Sequence, residues 1–238
     1  MIHEPSAPHA LVTGASRGLG LVLAERLARE GWRVVVDARG RDALAAAVAG
    51  LPGVTAVAGD VADPEHRRHL AQAVAAGGGL DVLVNNASLL GPSPQPPLAD
   101  YPLDVLEQVL AVNTLAPLAL VQLLLPLMRR GARVLNVSSD AAVEALDGWG
   151  GYGSSKAALD QLGAVLAVEN PQLRVYTVDP GDMNTAMHQQ AFPDQDISDR
   201  PAPETVVPAL LRLVTGDLPS GRYRASDLLA NSGAGVAT

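Results

Sequence analysis

Tyr152 and Lys156 stand four residues apart where a helical run begins. Side chains at that spacing share one helix face, so an ammonium can sit beside a phenol. A free tyrosine titrates near pH 10, and acid/base work at neutral pH asks for a shift of about 3 units, roughly 4 kcal/mol. A nearby positive charge favours the phenolate. The pair is therefore a candidate for moving a proton to or from the oxygen of a carbonyl or an alcohol. A second candidate is Thr13-Gly14-Ala15-Ser16-Arg17-Gly18-Leu19-Gly20, which lies between an apolar run and a helical one. Gly14 permits a tight turn, Gly18 lets backbone N–H groups approach a pyrophosphate, and Gly20 lets a helix pack close to a sheet. No Gly-Lys-Ser/Thr follows, so the turn is not of the Walker A kind. The expectation is a bound dinucleotide. His66 and His69, with Arg67 and Arg68 between them, read as a solvated helix face, and no metal site is expected.

Elements that position these groups alternate along the chain. Strands are predicted at Ala10–Thr13, Arg33–Val36, Val54–Ala58, Leu80–Val84, Arg133–Val137, Arg174–Val178 and, at an edge, Gly221–Arg224. Helices are predicted at Leu19–Arg29, Asp42–Ala49, Pro64–Ala76, Leu103–Arg130, Gly153–Val168 and Glu204–Val214. Asp63-Pro64 reads as an N-cap followed by proline at the first helical position. Such alternation predicts an α/β fold: a doubly wound, Rossmann-type parallel sheet with helices on both faces and ligands outside the carboxyl ends of its strands. Two loops stand apart. Leu90–Asp100 holds four prolines and should be stiff and non-helical. Asp182–Pro203 is polar and long enough to serve as a lid.

The chain has 238 residues, 17 Lys and Arg, 25 Asp and Glu, a net charge of −8 and no cysteine. Disulfides and Cys-ligated metal centres are excluded by composition. The acidic balance argues against nucleic acid or an anionic membrane as the main partner. The run from Val109 to Met128 is apolar, but Asn113, Thr114, Pro117, Gln122 and Pro126 interrupt it. It reads as a buried or subunit-facing helix rather than a bilayer span. Residues 1–8 carry an acid, two prolines and no apolar run, so they read as a loose arm and not a signal peptide. Residues 9–238 read as a single domain, with the cytosol as the expected compartment.

The glycine turn resembles the T-G-x-x-x-G-x-G fingerprint of the short-chain dehydrogenases/reductases, and further motifs follow in that family's order. Asp60-Val61 comes after the third strand, and Asn85-Asn86-Ala87 ends the fourth. Asn113 lies in the long helix and Ser138-Ser139 ends the fifth strand. Tyr152-Gly153-Ser154-Ser155-Lys156 matches Y-x-x-x-K. Pro180-Gly181 ends the sixth strand, with Thr185 beyond. The resemblance covers roughly residues 9 to 225 and points to the single-domain branch. It implies an oxidoreductase that transfers hydride between a nicotinamide and a small-molecule carbonyl or secondary alcohol. Tyr152 would then be the proton donor or acceptor. Ser139, rather than its neighbour Ser138, would stabilise the substrate oxygen. Lys156 would bind the nicotinamide ribose, and Asn113 would hold a water linking Lys156 to solvent. Gly14, Ser16, Arg17, Gly18, Leu19, Gly20, Arg39, Asp60, Val61, Asn86, Ala87, Pro180, Gly181 and Thr185 would join Tyr152 and Lys156 in holding the cofactor.

The expected cofactor is NADP(H) rather than NAD(H). Aligned without a gap, the family's ribose-binding acid falls on Ala38, while Arg39 and Arg17 stand where cations meet a 2′-phosphate. A one-residue shift would instead bring Asp37 to the ribose hydroxyls. Ser88, Asp140 and Asp179 depart from the usual pattern, and Asp140 would alter the field near the substrate. Trp149 is a candidate substrate wall, and Met183 and Met187 are candidates for an apolar pocket. His188 is expected to be exposed. Leu115–Leu127 suggests an interface of a homodimer or homotetramer. The alternative function is a dinucleotide-binding sensor or scaffold with little turnover; intact Ser139, Tyr152, Lys156 and Asn113 weigh against it.

Overall fold

Among the described residues seven strands, most of them apolar and rich in valine, pair in parallel to form one sheet in the order β3-β2-β1-β4-β5-β6-β7. The computed structural model describes residues 7–231. The strands are β1 (His9–Val12), β2 (Arg33–Ala38), β3 (Val54–Ala58), β4 (Leu80–Asn85), β5 (Met128–Val137), β6 (Arg174–Asp179) and β7 (Gly221–Arg224). The chain winds outward from β1 to β3, then returns to start β4 on the other side of β1. That reversal is the switch point where such sheets open a crevice.

Alternation along the strands divides the core in two. Ala10, Val12, Val34 and Val36 face one side, where Leu19, Leu23 and Leu27 of α1 (Gly18–Arg29) and Leu210 and Leu213 of α8 (Val207–Thr215) cover them. Leu11, Val35, Leu83 and Val134 face the other. There they meet Leu70 and Val74 of α3 (Pro64–Ala76) and Leu120 and Leu124 of α5 (Ala116–Leu124). A parallel sheet buried on both faces has this continuous apolar character. The remaining helices are α2 (Arg41–Ala47), α4 (Leu103–Leu110), α6 (Gly150–Glu169), α7 (Ala186–Ala191) and α9 (Ala225–Ala230).

Several expectations shift. Residues 1–6 of the expected arm lie outside the described residues. Pro8 already belongs to the fold, since its carbonyl accepts from the Arg33 N–H at 2.9 Å. The region expected to be helical from Leu103 to Arg130 divides: α4 passes through a π turn at Ala111–Leu115 into α5, and a 3-10 turn at Leu125–Leu127 ends it. Met128–Arg130 are extended instead, because Pro126 stops the helix and Met128 pairs in register with Leu80. The proline-rich loop holds a short 3-10 turn at Leu98–Asp100. Helix α7, inside the stretch expected to be a loop at Asp182–Pro203, and helix α9 were not anticipated.

α6 begins three residues before the predicted start at Gly153. Its glycines explain why. A Cβ on Gly153 would stand 2.6 Å from the Ala141 carbonyl oxygen, so only glycine lets the helix press against the turn that follows β5. That approach brings Tyr152 to the strand end carrying Ser138 and Ser139.

Candidate active site

A cleft of about 1150 Å³ opens outside the carboxyl ends of the strands, walled by the glycine turn on one side and by α6 and α7 on the other. Gly14, Ser16, Arg17, Gly18, Leu19, Arg39, Asp60, Val61, Asn86, Ala87, Pro180, Gly181 and Thr185 all line it, and so do Ser139, Tyr152 and Lys156. Gly20 lies beneath the turn, where a Cβ would meet the Gly14 carbonyl oxygen at 2.7 Å.

Close packing holds the turn. Gly14 adopts a φ of 68°, and a Cβ there would come within 2.8 Å of the Ala87 Cα. The Thr13 hydroxyl accepts from the Asn86 and Ala87 N–H groups, both at 3.0 Å. The Asn86 side-chain amide donates to the Thr13 carbonyl at 2.8 Å. Gly18, by contrast, has a φ of 58° and its Cβ would meet only the Thr185 methyl at 3.7 Å. The turn is therefore anchored from behind and open in front, which fits an extended dinucleotide with a pyrophosphate at the start of α1.

Asp37 borders the cleft with both carboxylate oxygens engaged by the protein. It is buried, its Oδ1 accepts from the Gly14 N–H at 2.7 Å, and its Oδ2 lies 3.0 Å from His66 Nε2. His66 is thus not on a solvated face as expected. Its ring is buried against Gly59, whereas His69 is exposed beside Glu65. The i, i+3 spacing placed the two histidines on one face, but α3 tilts that face so that only the first reaches β2. Arg17 and Arg39 are exposed at the cleft wall.

Tyr152 and Lys156 are both buried. The Lys156 Nζ donates to the Val137 carbonyl at 2.8 Å and lies 5.5 Å from the Tyr152 ring centroid. Burial brings the Lys156 ammonium down to about 8, against the pull of Asp160. Burial also pushes the Tyr152 phenol up to about 12, aided by the Asp140 and Asp179 carboxylates and opposed by the Ser88 side chain. The expectation had Lys156 and a positive nicotinamide acidify the phenol together; among the protein's own groups burial of the phenol dominates. Desolvation of the phenolate outweighs its neighbours, and the lysine's hydrogen bond goes to a strand carbonyl.

Both serines line the cleft, but Ser138 is buried and its hydroxyl donates to Asp160 Oδ1 at 2.5 Å, whereas Ser139 is half-buried and its hydroxyl does not reach Asp160. The Ser139 Oγ stands 2.8 Å from Asp140 Oδ1. Arg222 bonds Asp160 Oδ2 at 3.0 Å and the Ser139 carbonyl at 2.9 Å, so β7 braces the same turn. Asn113 is fully buried in the π turn. Its amide donates to the Leu89 carbonyl and to Ser155 Oγ, both at 2.9 Å; its oxygen accepts from the Leu89 N–H at 2.7 Å and from Ser88 Oγ at 3.2 Å. With the side chain saturated, a water at Asn113 would sit on its backbone carbonyl.

The outer wall is aromatic. Trp149 packs edge-on to Tyr152 at 5.7 Å and tilted to Phe192 at 5.9 Å, while the His188 ring lies 4.9 Å from Phe192. Met183 and Met187 both line the cleft, Met187 joining Trp149 against Leu90 and Tyr152 while Met183 also packs against the core beneath α1 and α8. His188, expected to be exposed, keeps only 12% of its side chain accessible, because α7 folds it onto Phe192 beside Asp182. The Ser93 hydroxyl of the proline-rich loop donates to the Gln190 carbonyl at 2.6 Å, so that loop meets the expected lid. Sequence reasoning missed Ser88 as the phenol's neighbour, and also Asp160, Phe192 and Arg222. Asp160 was findable, since it lies one helical turn beyond Lys156. No local signal marked Arg222.

Comparison with known proteins bears on this arrangement. The family model described as short chain dehydrogenase matches residues 8–196. A rhamnolipid-biosynthesis 3-oxoacyl-[acyl-carrier-protein] reductase of Pseudomonas aeruginosa is 34% identical over 227 residues, covering 90% of this chain and 82% of its own. A short chain dehydrogenase from Shigella flexneri solved with NADP superposes at a TM-score of 0.84 with 30% identity, covering 92% of this chain and 97% of that one. One from Escherichia coli solved with NADPH gives 0.84 and 31%, covering 92% and 96%.

Proposed function

The chain belongs to the short-chain dehydrogenase/reductase family, and on that premise we propose that it is an NADP(H)-dependent oxidoreductase acting on a small carbonyl compound or the corresponding secondary alcohol. The observation that carries this reading is the convergence of Ser139, Tyr152 and Lys156 on one cleft that also receives the glycine turn. When bound, reduced nicotinamide supplies the hydride and leaves oxidised.

The chain's own groups supply the rest. In the reductive direction the Tyr152 hydroxyl gives its proton to the substrate oxygen, and the phenolate left behind is stabilised by the Lys156 ammonium and by Ser88. Ser139 Oγ hydrogen-bonds the same oxygen as negative charge develops on it. Lys156 would also hold the nicotinamide ribose. A proton relay through the Asn113 carbonyl restores the phenol. Trp149, Phe192 and Met187 exclude water from the reacting carbon.

NADP(H) is preferred over NAD(H). Arg17 and Arg39 present exposed guanidinium groups at the adenine end, and Asp37 has both oxygens engaged inside the protein. Two relatives solved with NADP or NADPH support the same preference. The chain assembles as a homodimer or homotetramer through the long helices, where Leu115 (59% exposed) and Val168 (82%) leave apolar surface uncovered. The deciding experiment follows nicotinamide oxidation with NADPH against NADH over a mixed aldehyde and ketone library. NADPH-dependent reduction of at least one member is expected; cofactor binding with no turnover anywhere in the library points to a sensor instead.

A further inference from the structure

Asp140 stands beside the reacting oxygen's expected partner and competes for it. A carboxylate has no proton to give, so in the 2.8 Å contact Ser139 Oγ–H must donate to Asp140 Oδ1. The same Oδ1 accepts from the Ala141 N–H at 2.8 Å. No protein donor reaches Oδ2 among the described residues. While Asp140 keeps the serine's proton, Ser139 cannot donate to a substrate carbonyl. If the serine turns to the substrate, the carboxylate loses a partner next to a developing alkoxide. Either way the site lacks one donor, or one positive charge.

The outer cleft deepens the requirement. Asp147 is exposed on the lining, while Asp182 faces His188 at 3.8 Å and is partnered by Arg200 at 3.5 Å. Asp179 sits behind Asp140, with Arg222 and Arg224 at 3.9 and 4.0 Å. Trp149 and Phe192 offer π faces to an apolar body or a cation. Building on the oxidoreductase reading, we propose that Asp140 is a specificity-determining residue that selects carbonyl compounds bearing an ammonium group close to the reacting carbonyl on an aromatic or apolar body. The ammonium gives Asp140 a replacement donor and cancels its charge, freeing Ser139 for the carbonyl oxygen. A neutral ketone leaves Asp140 unsatisfied, and a carboxylate or phosphate adds repulsion. Carrier-bound acyl chains, whose carriers and tethers are anionic, are disfavoured for the same reason.

Two measurements test this with the intact protein. Calorimetry on the NADP⁺-saturated chain compares phenylethanolamine, α-methylbenzyl alcohol and mandelate. Steady-state assays with NADPH, at mildly acidic pH, compare phenacylamine, acetophenone and benzoylformate. The amino compound should exceed the neutral one by about tenfold or more, and the neutral one the acid by a similar factor, as expected for a charge-assisted hydrogen bond gained or opposed. In D140N and in D140S, either of which suffices, the amino-to-neutral ratio should shrink to about threefold or less, the remainder being diffuse field from Asp147. Mandelate binding as well as the amine, or the ratio surviving both substitutions, overturns the proposal. Preferential amine binding with no reduction of any ketone upholds the Asp140 assignment and sinks the oxidoreductase reading. Equal reduction of all three ketones does the opposite.

Discussion

Asp37 Oδ2 and His66 Nε2 meet at 3.0 Å between β2 and α3, both side chains nearly sealed from solvent. Through its other oxygen Asp37 holds the Gly14 N–H, so α3 and the glycine turn are tied by one carboxylate. Replacing His66 by leucine leaves a buried acid without its partner. The expected loss is about 3 kcal/mol, read from urea unfolding. D37N, which keeps an acceptor for Gly14, should lose less. Equal stability of H66L and the parent would show that the pair is idle.

Tyr152 carries the proton in the reaction proposed above, and phenylalanine keeps its ring packing. Y152F should lower kcat by at least about 10²-fold, the usual share of a general acid. NADPH affinity, followed by fluorescence titration, should stay within a few fold. Retained turnover would remove the phenol from the chemistry.

The adenine end should respond to charge. Removing Arg39 in R39A takes away a charge-assisted contact to the 2′-phosphate, worth about 2 kcal/mol or roughly 30-fold in NADPH affinity. NADH affinity should scarcely change. If both cofactors weaken together, Arg39 supports the fold rather than the phosphate.

Lys156 makes stability depend on pH with a definite sign. Its folded value lies near 8, below the ordinary 10.5. Between those values the unfolded chain binds the proton and the folded one does not, so stability rises with pH across that window. Below pH 8 the burial of the ammonium is a standing cost. K156M should therefore be more stable than the parent near neutrality, by a margin of order 3 kcal/mol, and should lack the rise from pH 8 to 10.5. Tyr152 acts oppositely at higher pH: its folded value near 12 exceeds the ordinary 10, so stability falls once the unfolded phenol ionises. Parallel pH profiles for parent and K156M in urea would contradict this.

The uncovered apolar positions on the long helices predict assembly. L115K combined with V168E should convert an oligomer to monomers in sedimentation velocity, with little change in unfolding midpoint. An identical sedimentation coefficient in the double variant would place the interface elsewhere.

Strand and helix order, the glycine turn and the Tyr152–Lys156 spacing were legible because each rests on local pattern. β-branched runs alternate with helical ones, glycine marks a positive φ, and an i, i+4 pair shares a face whatever surrounds it. Ser139 could be named, and Asp140 noticed, for the same reason: both closely follow an apolar strand. What sequence could not decide was direction and surroundings. His66 and His69 look alike along the chain, yet only the crossing of α3 over β2 sends one to Asp37. Asp37 and Ala38 are adjacent, and the pleat of β2 settles which side chain turns beneath the glycine turn. Whether Lys156 or burial governs the phenol depends on how closely α6 presses on the β5 turn, which Gly153 allows but does not by itself reveal. Arg222, 83 residues beyond Ser139, reaches that turn only because the sheet places β7 beside β6. Local spacing sets which groups exist and which face they share; long-range packing sets what each one touches, and therefore its charge and its role.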